Sequence, residues 1–388
     1  MPELGFGTAP ISPPSGVRMG GYAGRTARAT GIHDPLTATA LAIRDRNQQA
    51  AIVSIDAVIV SAALKERAAA AIGLGAGSLL LAASHTHSGP GGDQLDLLLS
   101  RAYYDLETMD ALVAAIRQAY EAASAALRPG RVAIGTGTIR GIASDRVLGR
   151  PSAPAPGALI RCTDDRGRLL GVIANYACHP TVLDERNTQL SADYVAGLRS
   201  RLQDRTGAPH ILFLNGACGD LSTRFSRRAA THAEAERLGA LVADELCGLE
   251  AGGGDGHLHT ELGTVRLANR GLDSAPGPAG DPRAEAAAAY ARSAEELLRH
   301  IDGLGYSDLP VQLIGLGPVR ILGLSVELFH RLRPPPSVVL ACYANAHHGY
   351  AVAPDTPPGA YERLSTLLPD TAGARLISYA GELLNAFS

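Results

Sequence analysis

Short apolar segments that alternate with helical segments most constrain how this 388-residue chain can fold. Apolar runs of strand length, separated by Ala-rich or amphipathic stretches, indicate buried strands joined by helices. The predicted strands are 49–59, 78–84, 131–140, 159–162, 169–178, 209–214 and 319–326, and the predicted helices are 62–72, 109–127, 192–202, 231–249, 283–301 and 373–387. The periodicity therefore predicts an α/β fold.

Proline and glycine mark the predicted loops between these elements. Loops are expected at the proline-rich segment 151–157 (PSAPAPG) and at 273–281, and the best candidate for an internal linker is 251–256 (AGGGDG). The segments that carry chemistry lie on both sides of that linker, and no internal repeat is evident. We therefore predict a single domain over residues 1–388.

Composition and charge exclude several classes of protein. Hydrophobic residues make up 46% of the chain and charged residues 19%, which is enough to bury a substantial core. The formal net charge of -3 provides no basic field for a phosphate backbone. The longest apolar runs fall short of the roughly 20 residues that span a membrane. We expect neither a nucleic-acid partner nor a transmembrane helix.

The cysteines and the N-terminal segment suggest where the chain resides. Five cysteines are widely spaced without C-x-x-C pairs, so neither a disulfide framework nor a cysteine zinc site is indicated. The segment MPELGFGTAPISPPSG has no positively charged region and no continuous apolar stretch, so we expect no secretory signal. The sequence thus predicts reduced thiols and a cytoplasmic location.

Several predicted strands end at polar residues that can do chemistry. The strand at 78–84 runs into His85-Thr86-His87-Ser88-Gly89-Pro90-Gly91-Gly92, and 169–178 runs into His179. The strand at 319–326 ends at Glu327, a carboxylate that is costly to bury unless it is paired or bound to metal. Two histidines and one glutamate form a known catalytic zinc arrangement that leaves a coordination position open.

Each of these residues also has a simpler interpretation. A single histidine at a strand end, such as His179, is more often a hydrogen-bonded structural residue than a metal ligand. Glu327 could instead begin a surface helix, ELFHRLR. The paired histidines of HTHSGPGG suit either a metal site or an acid/base site. Ser222 follows the strand at 209–214 in a Gly-rich turn, and G-D-L-S is not a nucleophile elbow, so it could be an ordinary turn serine.

Five segments, taken in order and spacing, resemble the N-terminal catalytic domain of the neutral/alkaline non-lysosomal ceramidases. The resemblance spans nearly the whole chain, and HTHSGPGG is its strongest motif. The five segments are GGYAGRTARATGIHDPL (20–36), SHTHSGPGG (84–92), NYACHPT (175–181), LSADYVAGLRSRL (190–202) and NGACGDLS (215–222). The resemblance implies a mixed β-sheet or two packed sheets flanked by helices, without the C-terminal immunoglobulin-like domain that typical members carry.

The resemblance also assigns roles to individual residues. It implies a Zn²⁺ ion held by His85, His179, Glu327 and Tyr350, the last of these in NAHHGY. It places outer-sphere or substrate-contacting groups at His87, Arg146 and Tyr361. It makes Ser222 either a nucleophile or a group that positions water and substrate. After Ser222, however, Thr223-Arg224 stand where the family has Pro-Asn.

The activity implied by the resemblance is zinc-dependent hydrolysis of an N-acyl amide bond in a small or lipid-like substrate, which need not be ceramide. In that reaction His87 or a nearby carboxylate would transfer protons, while Arg146, Tyr361 and the turn at 219–222 would stabilise the oxyanion. The same zinc site would also suit an esterase, a lactonase or an acyl-transfer enzyme of biosynthesis. An alternative of another class is a ligand-binding protein that keeps the fold without the chemistry.

Overall fold

The computed structural model of the chain describes residues 1–22, 24–91, 104–270, 305–334 and 337–386. The predicted loop at 273–281 and the predicted helix at 283–301 lie outside these residues, as does Gly92 of the HTHSGPGG segment. Within the described ranges, helix Ala62–Ile72 has the bounds that the sequence predicts. None of the described helices combines the length and the apolar composition that a membrane span needs.

The strands and helices alternate along much of the chain. In chain order the strands are β1 (Glu3–Pro10), β2 (Gly31–Ile32), β3 (Thr37–Asp45), β4 (Gln48–Ile55), β5 (Leu79–Ala83), β6 (Arg128–Ile139), β7 (Ser144–Asp145), β8 (Ala155–Asp164), β9 (Leu169–Tyr176), β10 (Gln189–Leu190), β11 (Ile211–Asn215), β12 (Leu221–Ser222), β13 (Gly252–Gly254), β14 (Leu258–Ala268), β15 (Tyr306–Leu316), β16 (Val319–Leu324), β17 (Glu327–Leu328), β18 (Val339–Ala341) and β19 (Tyr350–Ala351). The helices are α1 (Ala62–Ile72), α2 (Leu106–Ala125), α3 (Tyr194–Thr206), α4 (His232–Cys247), α5 (Tyr361–Leu364) and α6 (Ala372–Ala386).

The larger sheet has the strand order β11-β9-β8-β6-β1-β3-β4-β5, with β13 beside β6. Its neighbouring strands are antiparallel except for two pairs at the ends, β9 with β11 and β4 with β5, which are parallel. Parallel neighbours need a crossover connection, and helices α3 and α1 supply it. Strands β5 and β9, which lead into His85 and His179, both belong to these end pairs.

The larger sheet curls, so that strands far apart in its order approach each other. The hydroxyl of Ser54 on β4 donates to the backbone oxygen of Phe213 on β11, with the two atoms 2.5 Å apart. Two backbone hydrogen bonds place the segment after β18 between the outer strands, from Cys342 N to Asn215 O at 2.9 Å and from Ala83 N to Tyr343 O at 3.2 Å. The ends of β5 and β11 therefore meet around residues 342–343.

A second sheet packs against the larger one and has the order β14-β15-β16-β18. Apolar side chains from both sheets fill the space between them, among them Leu41, Ile52 and Ile160 from the larger sheet and Ile314 and Ile321 from the smaller. Helix α2 packs on β1 and β3, and helix α6 packs on β14 and β15. The predicted fold class, with two packed mixed sheets flanked by helices, is confirmed.

Two features of the larger sheet differ from the sequence-based expectation. Strands β1 and β3 were not predicted, because their sequences ELGFGTAP and TATALAIRD lack a run of β-branched or aromatic residues. The proposed linker AGGGDG contributes Gly252–Gly254 to the sheet as β13, where Gly252 pairs with Ile134 of β6. The prediction of one domain over residues 1–388 stays a prediction.

Helices α3 and α4 cross at a glycine that the close approach requires. A Cβ atom built on Gly239 of α4 would lie 2.1 Å from the backbone oxygen of Tyr194 and 2.5 Å from the amide nitrogen of Leu198. Both of these atoms belong to the backbone of α3, so a side chain at Gly239 could be accommodated only if one helix moved. Helix α3, which connects β9 to β11, is thus packed at backbone distance on α4.

We predict opposite effects for two Gly→Ala substitutions in helices. Gly239→Ala should lower the free energy of unfolding by about 1–3 kcal/mol, because overpacking forces the helices apart. Gly381→Ala in α6, where a Cβ would meet no atom within 4 Å, should raise that free energy by up to about 1 kcal/mol through helix propensity. Chemical denaturation followed by circular dichroism measures both. Equal stability of the two variants would contradict the backbone-distance crossing.

Candidate metal centre

His85 lies two residues beyond β5 in a left-handed backbone conformation, with φ 67°. Its side chain is buried, and its Nδ1 atom is 2.6 Å from the backbone oxygen of Val58. A carbonyl oxygen can only accept a hydrogen bond, so Nδ1 carries the ring proton. In the neutral form of the ring the lone pair is therefore on Nε2, and this atom faces Glu327 at 3.5 Å from Oε2.

His179 follows β9 and is held in the same way. Its Nδ1 atom is 2.8 Å from the backbone oxygen of Cys218 and 3.0 Å from that of Leu221, so Nδ1 again carries the proton. Burial, together with the nearby Arg146 guanidinium, lowers the pKa of His179 to about 4. The ring is therefore neutral at pH 7, and its Nε2 lone pair faces outward from β9.

Glu327 completes the cluster from a third element. It lies in β17, which pairs with β19 so that Glu327 is opposite Tyr350. Its carboxylate is buried, and Oε2 is 3.0 Å from Nε2 of His179. The alternative that Glu327 begins a surface helix is thus wrong, since β17 is followed only by a short 3₁₀ turn, His330–Leu332. The β17–β19 pairing explains why this carboxylate points inward.

The chemistry of this donor set fits a metal ion. The two imidazole lone pairs and the carboxylate oxygen are all hydrogen-bond acceptors, yet they face one another at 3.0–3.5 Å. Acceptors in a buried site repel one another unless a cation lies between them. Backbone carbonyls that orient the ring protons of His85 and His179 are the usual outer partners of metal-bound histidines. Two histidines and a carboxylate would leave coordination positions open on Zn²⁺.

His87 lies beside the two other histidines. A ring nitrogen from each of the three histidines, His85, His87 and His179, lies within 4.8 Å of those of the other two. Nε2 of His87 is 3.3 Å from Nε2 of His85. The backbone of Gly21, at φ 93°, passes so close that a Cβ there would lie 2.4 Å from the His87 ring. The packing of Gly21 thus fixes the His87 ring against the candidate metal centre.

Arg146 connects the centre to Tyr350 and Tyr361. Its Nη2 atom donates to the hydroxyl of Tyr350 at 3.2 Å and to the backbone oxygen of Gly219 at 2.8 Å. Its Nε atom is 2.9 Å from Oε1 of Glu362, close enough for an ion pair although not aligned as a hydrogen bond. The rings of Tyr350 and Tyr361 pack edge to face with centroids 6.1 Å apart. The structure therefore brings all three predicted residues together.

Ser222 lies in a two-residue strand rather than in an open turn. Strand β12 pairs with β7, and Ser222 also bridges to His179. The amide of Arg224 is 3.3 Å from Oγ of Ser222 and donates to it. The N–H groups of Gly219 and Leu221 donate to Leu328 O and Cys218 O, respectively. These two N–H groups are thus engaged within the protein. They are unavailable to the oxyanion that the turn at 219–222 is predicted to stabilise.

Three residues that the sequence analysis missed line the same centre. The ring of Tyr343 stacks on His85 with centroids 3.8 Å apart, and its hydroxyl is 3.4 Å from Oε2 of Glu327. Nε2 of His347 is 3.7 Å from the other carboxylate oxygen of Glu327. The third is Glu362, the partner of Arg146. Tyr343 and His347 share the CYANAHHGY segment with Tyr350, a density of aromatic and imidazole groups that could have indicated them.

The segment between Tyr343 and His347 is anchored by the single lysine of the chain. Lys65 of α1 is buried, and its Nζ atom donates to Leu79 O and, at 2.8 Å, to Oδ1 of Asn345. Burial lowers the pKa of Lys65 to about 7. The backbone is in the left-handed region at both Tyr343 and Asn345, with φ 58° and 66°. Lys65 thus helps to hold a constrained segment beside Glu327.

A second group of possible ligands, His33, Asp34 and His232, lies at the protein surface. The rings of His33 and His232 stack with centroids 3.6 Å apart and planes 7° apart. Imidazole lone pairs lie in the ring planes, so these lone pairs run parallel and do not converge on one point. The buried cluster is therefore the better candidate for a metal centre.

The curled two-sheet fold and the buried histidine–carboxylate cluster define an α/β protein with a candidate metal centre at the meeting point of its strand ends. Residues 3–149 match the family described as neutral/alkaline non-lysosomal ceramidase, N-terminal. The resemblance predicted from the sequence motifs is thereby confirmed for residues 3–149.

Individual relatives agree with the family match. A neutral ceramidase of Pseudomonas aeruginosa is 31% identical over 129 residues, which are 30% of this chain and 19% of that protein. A neutral ceramidase of Oryza sativa is 27% identical over 213 residues, which are 49% of this chain and 27% of that protein. The chain thus matches about a fifth to a quarter of the length of these two curated relatives.

The fold is also that of a solved ceramidase structure. The crystal structure of neutral ceramidase from Pseudomonas aeruginosa superposes with a TM-score of 0.79 at 21% identity, and the match covers 97% of this chain and 73% of that one. A structure described as ceramidase complexed with C2 superposes with a TM-score of 0.77, also at 21% identity. At this identity the likeness shows the fold.

We predict that the Arg146–Glu362 pair matters more for stability than an exposed pair of the same type. Glu362→Gln should lower the free energy of unfolding by about 3–5 kcal/mol, because it leaves the largely buried guanidinium without the carboxylate of Glu362. Asp308→Asn, which breaks the exposed pair with Arg266, should cost less than about 1 kcal/mol. Urea denaturation of both variants tests this, and equal small losses would mean that Arg146 is solvated.

Proposed function

We propose that the protein is a zinc-dependent hydrolase that cleaves the N-acyl amide bond of a linear amide, as the neutral ceramidases named above suggest. The observation that carries the proposal is the orientation of His85 and His179. Each ring has its Nδ1 proton committed to a backbone carbonyl and its Nε2 lone pair aimed at the carboxylate of Glu327. A buried arrangement of this kind brings acceptors together, and it is unfavourable unless a cation lies between them.

The residues that would hold Zn²⁺ are His85, His179 and Glu327, with Tyr350 as the fourth ligand. Tyr350 is supported by its pairing with Glu327 across β17 and β19. When bound, Zn²⁺ supplies Lewis acidity toward an acyl carbonyl and lowers the pKa of water toward about 7. The remaining steps fall to the side chains around the centre.

His87 is the candidate for proton transfer. Its ring is next to that of His85, and burial places the pKa of His87 well below the usual range, so the ring is neutral and able to accept a proton. Since Nε2 of His85 is an acceptor, its contact with Nε2 of His87 at 3.3 Å places the His87 proton on Nε2, and Nδ1 of His87, which has no hydrogen-bond partner among the described residues, is the atom that can accept a proton. A base that takes the proton of the attacking water can return it to the leaving amine.

Arg146 and Tyr361 are the candidates for binding the acyl oxygen as negative charge develops. The guanidinium of Arg146 stays charged, and Glu362 fixes its orientation through the contact with Nε. Donors held in place before the reaction stabilise an oxyanion without a cost of reorganisation. Ser222 lies beside His179 in the sheet and would position the water or the substrate.

The substrate class follows from the relatives more than from the described residues. An N-acyl amide with a small or lipid-like acyl group is the proposed substrate, and esters and lactones are the nearest competitors because the same centre polarises their carbonyls. We expect amides to be hydrolysed faster than esters or lactones of equal chain length. A panel of the three classes with graded acyl chains measures this preference by kcat/KM, and a larger kcat/KM for lactones would replace the amidase proposal.

Metal content and amide hydrolysis should be lost together in one variant. The purified protein should carry close to one equivalent of zinc, and His179→Ala should abolish both the metal and the activity. His210→Ala is the matched control, since His210 is half-buried, bonds Thr8 and lies outside the cluster. Elemental analysis and hydrolysis rates provide the two measurements. A wild type without metal that takes up none would rule out the zinc proposal, and zinc without turnover would favour a binding protein.

A further inference from the structure

Asn215, the last residue of β11, is fully buried between the two histidine-bearing strand ends. Its side-chain Nδ2 donates to the backbone oxygen of Ser84 at 3.1 Å and to the backbone oxygen of Cys178 at 3.3 Å. These carbonyls immediately precede His85 and His179. One carboxamide therefore joins the two peptide groups that lead into the two candidate ligands.

The planarity of the peptide bond makes these contacts effective. The carbonyl oxygen of Ser84 lies in one rigid plane with the amide nitrogen of His85, and the same holds for Cys178 and His179. Fixing each oxygen therefore fixes the position from which each histidine side chain starts. The two donor protons of Asn215 have a set separation, so they also fix the distance between the two planes.

The side-chain oxygen of Asn215, Oδ1, also accepts a hydrogen bond. The thiol of Cys218 donates to Oδ1 of Asn215 at 3.3 Å, and the backbone oxygen of Cys218 accepts the Nδ1 proton of His179. The backbone oxygen of Asn215 accepts from the amide of Cys342, next to the Tyr343 that stacks on His85. Asn215 thus contacts the two segments that lead into the imidazoles and, in addition, Cys218 and Cys342.

We propose that Asn215 is a positioning residue that sets the spacing of the His85 and His179 imidazoles for the metal. The inference rests on the proposed function, since the spacing matters only to a site that binds a cation. No other side chain of this size offers two donors and one acceptor in this geometry. Aspartate has the same shape but at most one proton to donate, and alanine has none.

Asn175 provides a matched control for the experiment. It is also buried, and its Nδ2 atom also donates to two backbone oxygens, those of Leu214 and Leu340, at 2.8 Å each. Neither of these carbonyls precedes a candidate ligand. Replacing Asn175 therefore removes the same kind of interaction from the core without releasing either histidine.

The experiment compares zinc affinity in Asn215→Ala, Asn215→Asp, Asn175→Ala and the wild type, by competition with a chelator of known affinity. Circular dichroism and denaturation establish that each protein is folded at the temperature used. Both Asn215 variants should bind zinc about 10–100-fold more weakly, the range seen when an outer partner of a metal ligand is lost. Asn175→Ala should lose stability but keep the wild-type zinc affinity.

Distinct outcomes would overturn the inference and the function on which it rests. If the wild type binds no zinc, the proposed function fails. If the wild type binds zinc and folded Asn215 variants bind it equally well, the function stands and the positioning role is wrong. An equal loss of affinity in Asn175→Ala, or failure of both Asn215 variants to fold while Asn175→Ala folds, would make Asn215 a residue of general structural importance instead.

Discussion

The contact between Nε2 of His179 and Oε2 of Glu327 is the constraint on which the rest of the structure depends. The two atoms are 3.0 Å apart, buried, and both acceptors once the ring proton is on Nδ1. An uncompensated contact of this kind costs several kcal/mol. The surrounding fold must therefore be rigid enough to hold the groups together, and a cation that binds them would stabilise the folded chain by mass action.

The curl of the larger sheet provides that rigidity. In a flat sheet, β5 and β9, which lead into the two histidines, would lie near opposite ends of a row of eight strands, and the histidines could not meet. The curl brings these ends together, and the segment after β18 fills the gap with backbone hydrogen bonds on both sides. The cluster is thus enclosed by three chain segments that are far apart in sequence. Its geometry is a property of the whole fold and not of any one motif.

The sequence predicted the part of the site that local patterns encode. His85, His179 and Glu327 each follow an apolar strand. A polar residue at such a position is conspicuous because burying it costs free energy unless it has hydrogen-bond or charge partners. The helix Ala62–Ile72 was predicted with its observed bounds, since an Ala-rich run ends at a glycine. What local patterns encode is therefore the end of an element and the residue found there.

The remaining features depend on contacts that no local pattern specifies. The pairing of β1 with β3 buries small residues, which carry little periodic signal. Glu362 is conspicuous only once the fold has brought it to Arg146, which lies more than 200 residues earlier in the chain. By sequence, Asn215 is an ordinary residue at the end of a strand. Its two Nδ2 protons reach backbone oxygens beyond β5 and beyond β9 only because the sheet curls. These parts of the site form only when the fold brings distant segments of the chain into contact.

The burial of Lys65 determines how the charge of this protein responds to alkaline solution. Of the 35 basic residues, Lys65 is the one lysine, and its amine is already engaged inside the core. The other basic side chains are guanidinium groups, which keep their charge to about pH 12 and above. The basic side chains at the surface therefore do not titrate across the range in which lysine-rich proteins lose positive charge. Amine-directed labels and cross-linkers, for the same reason, find no exposed lysine side chain to react with.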